Sequence, residues 1–339
     1  MKQARKFLFL VVILSIISFA VLLTYYRQNL TQLGFTNVPN KLYKTHILGG
    51  FSIDTPQRVT NAAADGLQTD LLYGFPPLET DSLGQALKAN HMKVIDGALN
   101  TFLYYYECHK LKTCSATIFP ELTSVQALLT DVSNHLQQEK NNSLIVGYWV
   151  LDDWPTNDLG SAKDILVQVN ALIHHYTPGR ISICGFGSGG IYPAPSYNYS
   201  WLDGTAANFS PQGCDIVGLY IYGASHTTGT YDWTMSKILP AMFTSLKKRG
   251  WDITKEPLIG IPQAFGGTIG GKPWPVSTAQ SIEIQSESFC QNGATGIIFY
   301  AWDNSGLDNT SQLPWNNTQI AQGIRNGIAA CKQYWSKNP

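Results

Sequence analysis

The sequence predicts an α/β fold, a (β/α)8 TIM barrel preceded by an N-terminal transmembrane or signal-anchor helix, and three observations predict the barrel. Apolar, β-branched or aromatic runs of strand length recur eight times along the chain. Segments with helical spacing lie between them. The repeating part covers roughly 290 residues, which suits a barrel that typically takes about 250 plus insertions. An open doubly wound sheet is the alternative arrangement for the same alternation.

The runs are residues 46–53, 69–73, 93–99, 143–151, 180–184, 215–222, 257–264 and 295–302. Each is bounded by glycine, proline or a carboxylate, residue types that interrupt strands. Residues 121–140 place Val125, Leu128, Leu129, Val132 and Leu136 on one helical face, and residues 164–176 do the same with Ile165, Leu166, Val169, Leu172 and Ile173. Ser161 and Asp164 have the spacing of a capping box at the start of the second helix. Two stretches interrupt the alternation. Residues 100–120, with Phe102, Tyr104, Tyr105 and Tyr106, read as an excursion after the third strand; residues 185–213, rich in Gly, Ser, Pro, Tyr and Asn, replace a helix after the fifth. Both are expected over the C-terminal face, where barrels carry their active sites.

The domain division follows from the first residues. Lys2, Arg5 and Lys6 precede an apolar stretch, residues 7–23, relieved only by Ser15 and Ser18. Its length is at the short edge of a membrane span. Tyr25 and Tyr26 suit a membrane interface and no small-x-small cleavage site follows, which favours an uncleaved anchor over a cleaved signal peptide. Residues 1–26 are thus read as anchor or signal peptide, 27–44 as a polar juxtamembrane linker and 45–339 as the barrel. The basic flank stays in the cytoplasm, so the barrel is expected outside it, or secreted if the segment is removed.

Composition excludes several function classes. With 14% charged residues and a formal net charge of zero, the chain offers no basic face for nucleic acid and no acidic run for disorder. Six cysteines are an even set that an oxidising compartment can pair. Proximity in the predicted organisation favours Cys108 with Cys114, Cys184 with Cys214 and Cys290 with Cys331. Acceptor patterns for N-glycosylation occur at Asn29, Asn141, Asn198, Asn208, Asn309 and Asn316. The histidines lack metal-ligand spacing, and His174 and His175 read as solvated surface residues, so no metal is expected. Residues 185–190 match a dinucleotide loop formally, but Tyr192 and Pro193 follow where a helix is required, so no cofactor is expected either. The context of Ser225 approaches a nucleophile elbow without its last glycine.

Chemistry concentrates in residues 145–155, Ile-Val-Gly-Tyr-Trp-Val-Leu-Asp-Asp-Trp-Pro. A buried strand ends in two adjacent carboxylates, Asp152 and Asp153, followed by Trp154 and a proline. At a barrel mouth, such an acid can protonate a glycosidic oxygen while the ring stacks on a sugar.

This segment resembles the fourth-strand motif of glycoside-hydrolase-like TIM barrels, in which a Gly-Tyr-Tyr-like run ends in Asp-Glu-Pro or a related acidic signature. Residues 296–303, Gly-Ile-Ile-Phe-Tyr-Ala-Trp-Asp, are similar to the last strand of such barrels, chitinase-type enzymes included. Residues 215–222 and 261–266 resemble their sixth and seventh strands. The resemblance implies Asp153 as acid or acid/base, Tyr222 as a polar contact to the reacting sugar, Gln263 as a substrate hydrogen-bonding group and Trp302 as a stacking surface. Two departures stand out. Asp153 takes the place of the usual glutamate, and Gln263 stands where many retaining barrels present a nucleophilic glutamate, a role that glutamine cannot fill.

A two-carboxylate mechanism then requires a partner among Asp54, Asp152 and Asp303, with Asp96 read as structural. Asp54 and Asp303 follow the first and eighth strands, which are neighbours in a closed barrel. A substrate-assisted route needs one acid and a contact such as Tyr222. Tyr73, Trp154, Trp302 and the cluster of Tyr104, Tyr105 and Tyr106 are expected near the mouth. The predicted function is an extracytoplasmic glycoside hydrolase-like protein with a carbohydrate partner. A catalytically inactive carbohydrate-binding barrel is the alternative, and ester hydrolysis through Ser225 or Ser188 a third reading.

Overall fold

The computed structural model describes residues 46–115, 117–152, 162–187, 209–222, 234–269, 272–302 and 312–338. The predicted anchor and linker lie outside the described residues, as do Ser161, Ser188 and Ser225. Among the described residues no helix is long and apolar enough to cross a membrane.

Eight of the described strands close into a parallel barrel. In chain order these are β1 (Ile47–Phe51), β2 (Thr69–Leu71), β3 (Lys93–Asp96), β4 (Ile145–Leu151), β5 (Ile181–Gly187), β6 (Ile216–Ile221), β7 (Leu258–Pro262) and, after a hairpin of β8 (Gly267–Ile269) and β9 (Lys272–Trp274), β10 (Ala294–Phe299). Going round, the order is β1, β10, β7, β6, β5, β4, β3, β2, so each strand neighbours its predecessor and β10 returns to β1. Every barrel pair is parallel. The closed barrel decides against the open sheet. The antiparallel β8–β9 hairpin was not legible in the alternation.

Helices cover the outside: α1 (Pro56–Ala64), α2 (Ser82–Ala89), α3 (Ala98–Leu111), α4 (Val125–Glu139), α5 (Ala162–Tyr176), α6 (Leu239–Lys247), α7 (Ala279–Gln291) and α8 (Thr318–Lys337). Their starts have local causes. Thr55 accepts the amide of Arg58 with Pro56 at the first helical position, and Ser124 accepts that of Ala127. Thr278 and Ser281 form a reciprocal capping box, and Asn317 accepts the amides of Gln319 and Ile320.

The expected excursion at residues 100–120 is corrected by α3. Ala98, Leu99, Phe102, Leu103 and Tyr106 are buried at helical spacing, a periodicity that the run of aromatics obscures. Tyr106 packs in the core and Tyr105 against Phe119, while Tyr104 is exposed. The third strand also ends earlier than predicted, at Asp96, whose Oδ1 accepts the Ala98 amide at 2.8 Å as the chain enters α3. His174 is a further correction. It is not simply solvated, since its Nε2 lies 2.9 Å from Asp215 Oδ1 at the entry to β6.

Two apolar layers result. One fills the space between strands and helices; the other, with Phe51, Leu71, Ile95, Trp149, Tyr220, Ile261, Phe265 and Leu313, fills the barrel lumen. The three expected disulfides are present, with Cα separations of 5.5, 5.9 and 5.5 Å for Cys108–Cys114, Cys184–Cys214 and Cys290–Cys331. The last joins α7 to α8, which approach so closely that a Cβ on Gly323 would lie 2.9 Å from Ala279 Cα.

Candidate active site at the barrel mouth

Strand alternation sends every second side chain into the lumen. At the C-terminal ends of the strands those side chains are aromatic. Phe51 is the hub: its ring centroid lies 5.3 Å from Tyr73, 5.6 Å from Trp149, 5.8 Å from Tyr220 and 5.2 Å from Tyr300. Tyr222 stacks on Tyr300 at 5.7 Å and meets Phe265 and Trp274 edge-on at 5.5 and 5.7 Å. The result is a contiguous cluster of rings at the mouth, with Phe51 and Trp149 fully buried, four tyrosines packed around them and Trp274 of the hairpin at its edge.

Trp149 fits because β5 carries a glycine beside it. A Cβ on Gly185 would lie 2.5 Å from Trp149 Cζ2, whereas one on Gly218 would be in ordinary contact with Cη2 at 3.4 Å, so Gly185 is the glycine that the indole requires. The indole therefore lies over bare backbone, a close approach that this glycine permits.

Polar groups are few and convergent. The Tyr73 and Tyr220 hydroxyls are 3.2 Å apart. Asp152 directly follows β4 and is half-buried. Burial raises the Tyr73 phenol well above its usual pKa, the charges of Asp152, Tyr300 and Tyr222 raise it further, and the bond with Tyr220 acts the other way. Tyr73 consequently remains a neutral hydroxyl, able to donate or accept, in the field of a carboxylate. Among the described residues no group of three or more His, Cys, Asp or Glu is arranged to hold a metal ion.

The predicted site residues fall into distinct groups. Tyr73, Tyr222 and Asp152 come together at the mouth. Asp153, Trp154 and Asp303 lie outside the described residues. Asp54 is exposed after β1 and accepts from Arg58 at 3.0 Å. Gln263 is fully buried, and its Nε2 donates to the carbonyls of Phe265 at 3.2 Å and Pro275 at 3.1 Å, so it fastens the segment between β7 and the hairpin. Trp302 departs from the expected stacking surface. Tyr300 and Ala301 both belong to the lumen layer, which breaks the alternation and turns Trp302 into the outer core, fully buried.

Asp96 binds His135 at 2.6 Å between β3 and α4, away from the lumen. Asp70 is a carboxyl that the sequence reading missed. It is fully buried beside Leu71, its Oδ1 accepts the Ile53 amide at 3.0 Å, and its Oδ2 has no hydrogen-bond partner among the described residues. Burial raises its pKa well above the carboxylate range, with the Asp54 charge adding to the shift. Trp149, Tyr220 and Tyr300 were also missed as mouth residues, although the parity they share with inward neighbours on their strands was a usable signal.

No family model and no curated protein sequence matches this chain. Solved structures do. An endo-β-1,4-mannanase from Thermotoga petrophila superposes with a TM-score of 0.53 at 12% identity, over 87% of this chain and 78% of that one. A β-glucuronidase from Ruminococcus gnavus, in complex with C6-substituted uronic isofagomine, gives 0.54 at 12% identity over 86% of this chain. The same enzyme with D-glucuronic acid gives 0.51 at 13% identity. The fold is a (β/α)8 TIM barrel, which this chain shares with those enzymes. The likeness is one of fold, and this chain spans about half the length of the glucuronidase, covering 50% of it.

Proposed function

We propose that this chain is an extracytoplasmic glycoside hydrolase-like protein that cleaves a glycosidic bond of a carbohydrate. The observation that carries the reading is the cluster of aromatic rings at the C-terminal end of the barrel, read as a sugar-binding bowl, with Asp152 following β4 and its charge acting on Tyr73. Aromatic faces receive the C–H faces of a pyranose, and phenol hydroxyls orient its hydroxyl groups. The acidic pair Asp152–Asp153 then supplies the proton to the leaving oxygen, with Asp153 as the acid and Tyr222 as the contact to the reacting ring. The second carboxylate is Asp303 if the route uses two, since Asp54 is exposed and held by Arg58; with Tyr222 alone, the substrate supplies the nucleophile. The three disulfides are consistent with an oxidising compartment, and residues 7–23 would tether the barrel to the membrane that borders it.

A catalytically silent carbohydrate-binding barrel is the second reading. It is favoured by Gln263, which takes the place of a nucleophilic carboxylate and has its Nε2 committed to backbone carbonyls.

The test is product formation from a panel of soluble polysaccharides and aryl glycosides. The expected result is reducing-end release by the wild-type chain that drops by about 10²–10⁴-fold in Asp153→Asn, with the thermal midpoint retained. Retention on the panel without any product would select the silent barrel, and neither retention nor product would remove the carbohydrate reading.

A further inference from the structure

A second feature of the C-terminal face lies outside the bowl. The turn that leads into α8 is fastened on every side. Leu313 belongs to the lumen layer, and Gln312 exchanges both backbone hydrogen bonds with Gly266, at 3.0 and 2.8 Å, just beyond β7. Asn316 Oδ1 accepts the Leu313 amide at 2.7 Å, and the amides of Asn316 and Asn317 return to the Leu313 carbonyl at 3.0 and 2.9 Å. Held between these points, Trp315 leaves 42% of its surface in solvent.

A single exposed aromatic is ordinary. Trp315 differs in its neighbours. The guanidinium carbon of Arg58, in the first turn of α1, lies 4.5 Å from the centroid of its ring, and Arg58 Nη1 donates to Asp54 Oδ1 at 3.0 Å. Asp54 and Arg58 follow β1, so the trio joins the loops after the first and last barrel strands, at the rim of the same mouth. The guanidinium lies over the ring, 42% of the tryptophan's surface remains in solvent, and the Asp54 carboxylate is tied to the same guanidinium.

We propose that Trp315, Arg58 and Asp54 form an outlying binding site for one pyranose unit of a carbohydrate chain. The C–H face of the sugar lies on the indole, and its ring hydroxyls, which donate and accept, meet the carboxylate of Asp54 and the N–H groups of Arg58. The proposal rests on the carbohydrate reading above and deepens it: the substrate is a chain long enough to reach from the bowl to the rim, and a single glycoside occupies the bowl alone.

The experiment uses the full chain and isothermal titration with hexasaccharides and disaccharides of β-1,4-linked mannose, glucose, xylose and N-acetylglucosamine. The expected result is hexasaccharide affinity in at least one series that weakens by roughly 5- to 10-fold in Trp315→Ala, with disaccharide affinity changed less than about twofold. Unchanged hexasaccharide affinity, or equal loss at both lengths, overturns the rim site and leaves the bowl reading intact. Absence of binding by the wild-type chain in all series overturns both. Arg58→Met keeps the aliphatic stem and removes the hydrogen-bonding head, so it decides the same question if Trp315→Ala fails to fold; an unchanged hexasaccharide affinity in that variant also overturns the proposal.

Discussion

The Tyr73 hydroxyl lies 3.2 Å from the Tyr220 hydroxyl, although 147 residues separate them in the chain. In the closed order of strands, β2 and β6 are four places apart in either direction, so this contact spans the barrel from one side to the other. It joins the two sides of the lumen at that level.

Removal of one hydroxyl should therefore disturb the site more than the fold. Tyr220→Phe deletes one hydrogen bond, which contributes about 0.5–1.5 kcal/mol to stability. If Tyr73 orients substrate, the same change lowers turnover by about 3- to 10-fold on any glycan that the wild type cleaves. Steady-state kinetics alongside urea denaturation separates the two effects. Full turnover in both Tyr220→Phe and Tyr73→Phe would place the reaction elsewhere.

Gly185→Ala tests how tightly Trp149 is packed. The added methyl would lie 2.5 Å from Trp149 Cζ2 and 2.9 Å from Tyr220 Cε2, both parts of rigid rings in a filled lumen. The expected loss is about 1–3 kcal/mol by urea denaturation. Gly74→Ala is the control, because a Cβ there meets nothing within 4 Å, and its expected change is within about 0.5 kcal/mol. Equal midpoints for the two variants would mean that the lumen has slack around the indole.

Asp70 predicts a pH dependence of stability with a defined sign. Its folded-state pKa is raised by burial, so the folded protein keeps this proton at pH values where the unfolded chain has released it. Above the unfolded value of about 3.9, each further rise in pH favours the unfolded state, until the folded-state pKa is passed. The contribution is thus fully present at acid pH and lost on the way to neutrality. Asp70→Asn keeps the acceptor for the Ile53 amide and cannot ionise. Its urea midpoint should match the wild type at about pH 4 and exceed it at about pH 7.5. A midpoint below the wild type at the higher pH would show that a charged Asp70 is stabilised in the fold.

The disulfides should differ in weight. Cys290–Cys331 closes 41 residues and Cys108–Cys114 only six. In the chain-entropy account, the loss on replacing both cysteines by alanine is about 4 kcal/mol for the long loop and about 2 kcal/mol for the short one. Denaturation of the two double variants checks the order, and a reversed order would mean that local packing outweighs loop closure.

The eight strands were legible because each is a short apolar run bounded by a residue that stops it, as in residues 215–222 between a carboxylate and a glycine. Helix α3 was not, because its run of tyrosines masks the spacing of Phe102, Leu103 and Tyr106. Of the candidate site, Tyr73 and the acidic end of β4 were singled out from their places at strand ends and Tyr222 from the resemblance, and Tyr73 and Tyr222 do lie in the ring cluster at the mouth. Gln263 and Trp302 were assigned by position along a strand, and side-chain direction reverses where pairing becomes irregular beyond a strand end: Gln263 turns to the backbone of its own loop, and Trp302 faces the helices.

The sequence by itself determined the eight barrel strands, their alternation with helices and the acidic residues that follow β4, because these depend on residue type and local spacing. The tertiary structure decided that the sheet closes, that Tyr73 meets Tyr220 across the lumen, that Gly185 leaves room for Trp149 and that Arg58 covers Trp315. Those contacts join residues far apart in the chain, and they arise only when closure sets which strand faces which and how far each inward side chain must reach.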